Sequence, residues 1–100
     1  MSEPDEPVRS AGIRVFLIAD IRGYTSFTQD QGDEAAARLA RAFAETARER
    51  VQNRGGELIE LRGDEALAVF ESARDAIHAA IDLQSTYVSE AVSNPDLPLF

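Results

Sequence analysis

Apolar residues follow different spacings along this chain, and each spacing predicts a different kind of element. Residues 13–19 are apolar on both faces after Arg14, which predicts a central strand covered on both sides. Residues 58–61 and 66–70 form two short apolar runs around a turn that contains a glycine. That arrangement is typical of a β-hairpin.

Helical spacing describes most of the remaining chain. Residues 24–31 are expected to form a short helix that Gly32 ends, and Asp33 is expected to cap a long helix over residues 34–53. Gly55 and Gly56 should end that helix in a left-handed cap. Its apolar stripe consists of Ala36, Leu39, Ala40, Phe43, Ala47 and Val51.

A further helix is expected from Ser72 to about residue 92. Ser72 and Asp75 have the spacing of a capping box. Gln84 interrupts the face that should turn inward, so its amide needs a partner or an opening to solvent. That face is expected to consist of Ala73, Ala76, Ile77, Ala80, Ile81, Leu83, Tyr87 and Val88.

These elements indicate an α+β fold of the ferredoxin-like, split βαβ type. Residues 1–11 are interpreted as a disordered tail, and residues 12–100 as part of one domain. A loop over residues 94–98 leads into Leu99 and Phe100, which resemble the start of another strand. The domain is therefore expected to be truncated before its later strands.

The composition of the chain excludes several classes of function but says little about the fold. The net charge of −8 argues against nonspecific binding to nucleic acid or to an anionic membrane. No apolar run is long enough to span a bilayer, and the acidic N-terminus is not a secretory signal. Without cysteine there is no disulfide or thiolate site. A cytoplasmic location is the expectation.

Two acidic turns carry the candidate chemistry. Asp20 follows the first strand, and Asp64 lies at the tip of the hairpin. In the predicted fold the first and third strands are antiparallel neighbours, so these two aspartates are expected to converge. Close carboxylates repel unless a cation lies between them, and oxygen ligands suit Mg²⁺ or Mn²⁺. Gly23, Tyr24 and Thr25 open the short helix, where free N–H groups attract phosphate.

At these residues the chain resembles the catalytic domain of class III nucleotidyl cyclases, the adenylate and guanylate cyclases. The matching stretches are FLIADIRGYTSFT and GGELIELRGDEALAVF. The resemblance extends over residues 13–87, which correspond to about the first half of the family's domain. It implies cyclic nucleotide biosynthesis in intracellular signalling, in which a nucleoside triphosphate, GTP or ATP, becomes a 3′,5′-cyclic monophosphate and pyrophosphate.

The resemblance also implies roles for individual residues. Asp20 and Asp64 would bind two metal ions, Mg²⁺ or Mn²⁺, assisted by the backbone carbonyl of Ile21. The backbone amides of Gly23, Tyr24 and Thr25 would contact the phosphates. Family sites form between two subunits, so a homodimer or pseudo-dimer is implied.

One position departs from the adenylate-specific pattern. Glu60 stands where those members carry a lysine, and a glutamate there resembles guanylate cyclases, in which it reads the guanine base. Glu60 would serve the active site opposite the one served by Asp64. The family's transition-state asparagine and arginine belong to the later half, so this chain is expected to be inactive alone.

Two other functions stay open. Residues 62–66 (RGDEA) faintly resemble the GGDEF hairpin of diguanylate cyclases, although the first glycine and the final aromatic residue differ. A catalytically degenerate module that regulates or dimerises fits the missing lysine equally well. Among other side chains, Arg62 is interpreted as a solvated turn residue, His78 as structural, and Tyr24 and Phe27 as packing residues.

Overall fold

A three-stranded antiparallel sheet carries both acidic turns at one end. The computed structural model describes residues 12–93. In chain order, the elements are β1 (Val15–Asp20), α1 (Tyr24–Gln31), α2 (Asp33–Asn53), β2 (Glu57–Arg62), β3 (Glu65–Phe70) and α3 (Ala73–Ser93).

The strand order is β1-β3-β2, with β3 antiparallel to both neighbours. The alignment places Asp20 opposite Glu65, and on the other side of β3 it places Arg62 opposite Glu65. This order and these directions confirm the ferredoxin-like α+β prediction within the described residues.

The core lies between one face of the sheet and the two long helices. Phe43 of α2 is fully buried and stacks on Tyr87 of α3, with ring centroids 5.9 Å apart. The Tyr87 hydroxyl donates a hydrogen bond to the Phe43 carbonyl at 3.3 Å. The predicted stripe of α2 is confirmed by its five buried members, while Ala40 is half-buried: Ala36, Leu39, Phe43, Ala47 and Val51.

The first strand differs from its prediction. It begins at Val15 and forms an edge of the described sheet, and only its helix-facing side is covered. On the other side Phe16 is 60% and Ile18 is 64% exposed. The expectation of cover on both faces is therefore wrong for the described residues, because both long helices pack on the same side of the sheet.

The inward face of α3 was also predicted only in part. Ala76, Leu83 and Tyr87 are buried as expected, but Ile77 and Ile81 are more than half exposed. Val88 and Ala73 are exposed as well, and Gln84 lies outward. Ala79, which the prediction omitted, is fully buried. Two adjacent rows of α3 are both apolar, so periodicity alone could not choose between them.

Capping hydrogen bonds at two helix ends agree with the boundaries predicted there. The N–H groups of Gly55 and Gly56 donate to the carbonyls of Gln52 and Val51, at 3.0 and 2.9 Å, which is the hydrogen-bond pattern of a Schellman cap. Ser72 Oγ accepts the Asp75 N–H at 3.2 Å, as the capping prediction requires.

The predicted cap of α2 is wrong. That helix begins at Asp33 itself, with Gly32 as its N-cap and no side-chain capping bond. Asp33 instead places its negative charge in the first turn, where it interacts favourably with the helix dipole.

Three predictions fall on other parts of the chain. The tail over residues 1–11, the loop over residues 94–98 and the strand start at Leu99 and Phe100 lie outside the described residues. Within the described part, no helix has the length and apolar character needed to cross a bilayer.

Candidate functional site

A backbone hydrogen bond joins the two acidic turns. The N–H of Ile21, directly after Asp20, donates to the carbonyl oxygen of Asp64 at 2.9 Å. Asp20 is also aligned with Glu65, the neighbour of Asp64. The predicted convergence of the two turns is thus present in the backbone, despite their separation in sequence.

The side chain of Ile21 anchors this junction in the core. It is 2% exposed and belongs to the same buried cluster as Leu39 and Phe43. Its neighbours Asp20 and Arg22 are exposed. Burying the isoleucine fixes the turn, and the alternation of the chain then directs the flanking aspartate outward.

The groups at this junction suit a hard divalent cation. Asp20 and Asp64 offer carboxylate oxygens. Ile21 offers its backbone carbonyl, and its N–H already donates a hydrogen bond to the other turn. Mg²⁺ and Mn²⁺ prefer such oxygen ligands. Among the described residues, no three His, Cys, Asp or Glu side chains cluster as metal ligands, so a metal here would need backbone, substrate or water oxygens in addition.

The predicted phosphate-binding turn opens helix α1. Gly23 is its N-cap with φ of +70°, a left-handed conformation that glycine adopts without strain. Its carbonyl accepts the Phe27 N–H at 2.9 Å, which starts the helix. The N–H groups of the first helical residues, Tyr24 and Thr25, have no acceptor one turn earlier.

Tyr24 holds that turn against the long helix. Its hydroxyl donates to the Ala36 carbonyl at 3.0 Å, and its ring packs on the core together with Phe27. This confirms the prediction that the two aromatic residues are packing residues. Any contact that Tyr24 makes with phosphate would therefore come from its backbone.

Glu60, the predicted base-reading residue, lies on the exposed face of β2. Arg62 Nε donates to Glu60 Oε2 at 3.0 Å. This hydrogen bond, with the charges of Glu60 and Glu65, raises the pKa of Arg62 above its ordinary value. The pair lines a surface cavity of about 260 Å³, together with Ile18, Glu65 and Leu67.

Arg62 is solvent-exposed as predicted, but its assignment to the turn is wrong. It is the last residue of β2, and its side chain pairs with Glu60. The available signal was the two-residue spacing between an acid on the predicted strand and a base directly after it. If the strand continues to Arg62, both side chains lie on one face.

Sequence reasoning missed a second polar cluster, which joins the two long helices. Arg54 donates to both carboxylate oxygens of Asp82, at 2.7 and 3.3 Å. The hydrogen bond from Arg54 holds the pKa of Asp82 below its usual value. His78 Nδ1 lies 3.5 Å from Arg54, which agrees with the structural role expected for that histidine.

Comparisons with known proteins point to one group of enzymes. The chain is 35% identical over 68 residues to an adenylate cyclase of Streptomyces coelicolor (strain ATCC BAA-471 / A3(2) / M145), a match that covers 68% of this chain and 18% of that protein. No protein-family model matches the chain.

The fold has a counterpart among solved structures. The crystal structure of the guanylyl cyclase Cya2 superposes with a TM-score of 0.68 at 21% identity, covering 86% of this chain and 50% of that one. The chain thus spans about half of this structural neighbour and less than a fifth of the curated relative. The sequence similarity and the shared fold support the resemblance to a class III nucleotidyl cyclase domain.

Proposed function

We propose that this chain supplies the metal-binding and phosphate-binding part of an active site that cyclises a nucleoside triphosphate, GTP or ATP. The observation that carries the proposal is the hydrogen bond from Ile21 to Asp64, which fastens two aspartate-bearing turns together. Similarity to an adenylate cyclase and a fold shared with a guanylyl cyclase support the same reaction class.

Each group has a proposed role that follows from its chemistry. Asp20, Asp64 and the Ile21 carbonyl hold two divalent cations, Mg²⁺ or Mn²⁺. Such ions lower the pKa of a bound hydroxyl and offset charge on phosphate oxygens. The opening N–H groups of α1, at Gly23, Tyr24 and Thr25, hold phosphate oxygens, because the helix end presents unpaired donors.

A second subunit fits the surface of the sheet. Phe16, Ile18 and Ile59 are large apolar residues, each more than half exposed. Exposed apolar surface of this kind is typical of an interface. We propose that a second copy of the chain, or a related domain, covers this face. Glu60 then contacts the nucleotide base in the active site whose metal ligands belong to the partner.

Nucleotide binding tests the metal site directly. Isothermal titration calorimetry with GTP and with ATP in the presence of Mn²⁺ should detect binding that Asp20→Asn weakens by more than about tenfold, since even supporting groups around a metal commonly contribute that much. Asp30→Asn is the matched control, because Asp30 is an exposed aspartate of α1. Equal binding by the parent and Asp20→Asn would refute the proposal.

The reaction product separates the enzymatic alternatives. With the remainder of a cyclase domain supplied, chromatography should detect a 3′,5′-cyclic mononucleotide from GTP or ATP. A cyclic dinucleotide would instead indicate a diguanylate cyclase. Asp20-dependent nucleotide binding without any turnover would favour a regulatory or dimerising module.

A further inference from the structure

Glu60 and Arg62 form an ion pair on the open face of the sheet, at the rim of the cavity described above. The two residues are two positions apart on β2 and therefore project to the same side. Leu67 lies opposite Glu60, and Glu65 lies opposite Arg62. The cavity thus has an apolar wall and a polar end at which Arg62 is the cation.

The contact occupies only part of the Glu60 carboxylate. Arg62 reaches Oε2 through Nε. A carboxylate that reads guanine needs both oxygens, because guanine offers two adjacent N–H donors along one edge. Adenine presents a ring acceptor beside its amino group at the corresponding edge, so it cannot use both carboxylate oxygens in this way.

We propose that Arg62 is a specificity-determining residue that masks Glu60 in the nucleotide-free chain. Guanine must displace the guanidinium from Glu60 Oε2, whereas adenine gains no matching pair of hydrogen bonds by doing so. Arg62 therefore reduces the preference for GTP, which is the ratio of the dissociation constants for ATP and GTP. This inference rests on the proposed function, because it takes the open face of β2 as the surface that receives the base.

The exposure of the pair sets the size of the effect. Arg62 is 69% and Glu60 is 47% exposed at the side chain, so water screens their attraction. Exposed ion pairs of this kind correspond to about a two- to fivefold change in an equilibrium constant. Arg62 is therefore expected to weaken guanine binding by about that factor without preventing it.

The test is the ratio of the dissociation constants for ATP and GTP, measured by calorimetry with Mn²⁺ on the whole chain. Arg62→Gln should raise that ratio about two- to fivefold, chiefly by tightening GTP. Arg14→Gln is the matched control, since Arg14 pairs with Glu71 at 3.5 Å, is similarly exposed, and lies at the other end of the sheet. In a Glu60→Gln background, Arg62→Gln should leave the ratio unchanged.

Each other outcome overturns the inference. A ratio that is unchanged or lower in Arg62→Gln would mean that the arginine is neutral or supports base reading. A raised ratio that persists with Glu60→Gln would mean that Arg62 acts on the nucleotide by another route. If nucleotide binding depends on Asp20 but the ratio does not change in Arg62→Gln, only the masking role of Arg62 is refuted. If nucleotide binding does not depend on Asp20, the proposed function is refuted, and this inference with it.

Discussion

The two glycines that follow α2 make a matched pair for a stability test, because they are needed for different reasons. Gly55 has φ of +78° and open space where a Cβ would be. Gly56 has no such backbone requirement, but a Cβ there would overlap the ring of Phe70, with Cζ at 2.6 Å and Cδ2 at 2.7 Å. Phe70 is 1% exposed, so its ring is part of the buried core.

The two alanine substitutions should therefore destabilise the chain by separate mechanisms. Gly56→Ala overpacks the core at the Phe70 ring, which typically lowers the free energy of unfolding by about 1–3 kcal/mol. Gly55→Ala places a Cβ on a residue in the left-handed conformation, which lowers the free energy of unfolding by about 1–2 kcal/mol. For a chain of this size, each kcal/mol corresponds to a melting temperature lower by about 4–8 °C.

A double-mutant cycle distinguishes the two mechanisms. Urea unfolding followed by circular dichroism gives the free energy of unfolding for each glycine variant, alone and combined with Phe70→Leu. Phe70→Leu should offset part of the loss in Gly56→Ala, with a coupling of at least about 0.5 kcal/mol, and should add independently to Gly55→Ala. Strict additivity for Gly56→Ala would refute the packing argument for that glycine.

Three further predictions concern the turn anchor, the helix pair and the open face. Ile21→Ala should lower the free energy of unfolding by about 2–5 kcal/mol in denaturant titration, and Ile21→Val by only about 1 kcal/mol; equal losses would argue against a closely packed anchor. Because Arg54 lowers the pKa of Asp82, the stability from that pair is present above the ordinary value of 3.8 and is lost as the pH falls through the lower folded value. Urea midpoints of the parent and Asp82→Asn should thus differ near neutral pH and converge below 3.8, and a constant gap would contradict the assignment. Ile18→Asp should abolish concentration-dependent association in sedimentation velocity if a second copy covers the open face, whereas unchanged association would place the contact elsewhere.

Local signals predicted much of this structure. Gly23 and Gly32 bracket α1, and the short helix has the predicted bounds because glycine interrupts the helical pattern on each side. The meeting of the Asp20 and Asp64 turns followed from the known topology of a split βαβ unit, without any information on side chains. That step needed only the correct order of elements.

The errors arise where tertiary packing selects between equivalent local patterns. Ala79 and Ile77 both lie on apolar rows of α3, and only contact with α2 and the sheet decides that the alanine faces inward. Phe16 and Ile18 are apolar enough for a covered strand, yet no described element packs on their side. The pairing of Arg54 with Asp82 spans two helices, which no short-range spacing could reveal.

The most direct test of the central claim is a Mn²⁺ titration followed by ¹⁵N–¹H NMR, because the paramagnetic ion broadens amide signals close to it. The account predicts that amides of both turns, at residues 20–25 and 63–66, broaden together with one midpoint. Asp20→Asn and Asp64→Asn should each weaken the effect at both turns. Broadening at one turn alone, or broadening spread evenly over the acidic surface, would contradict a shared cation site.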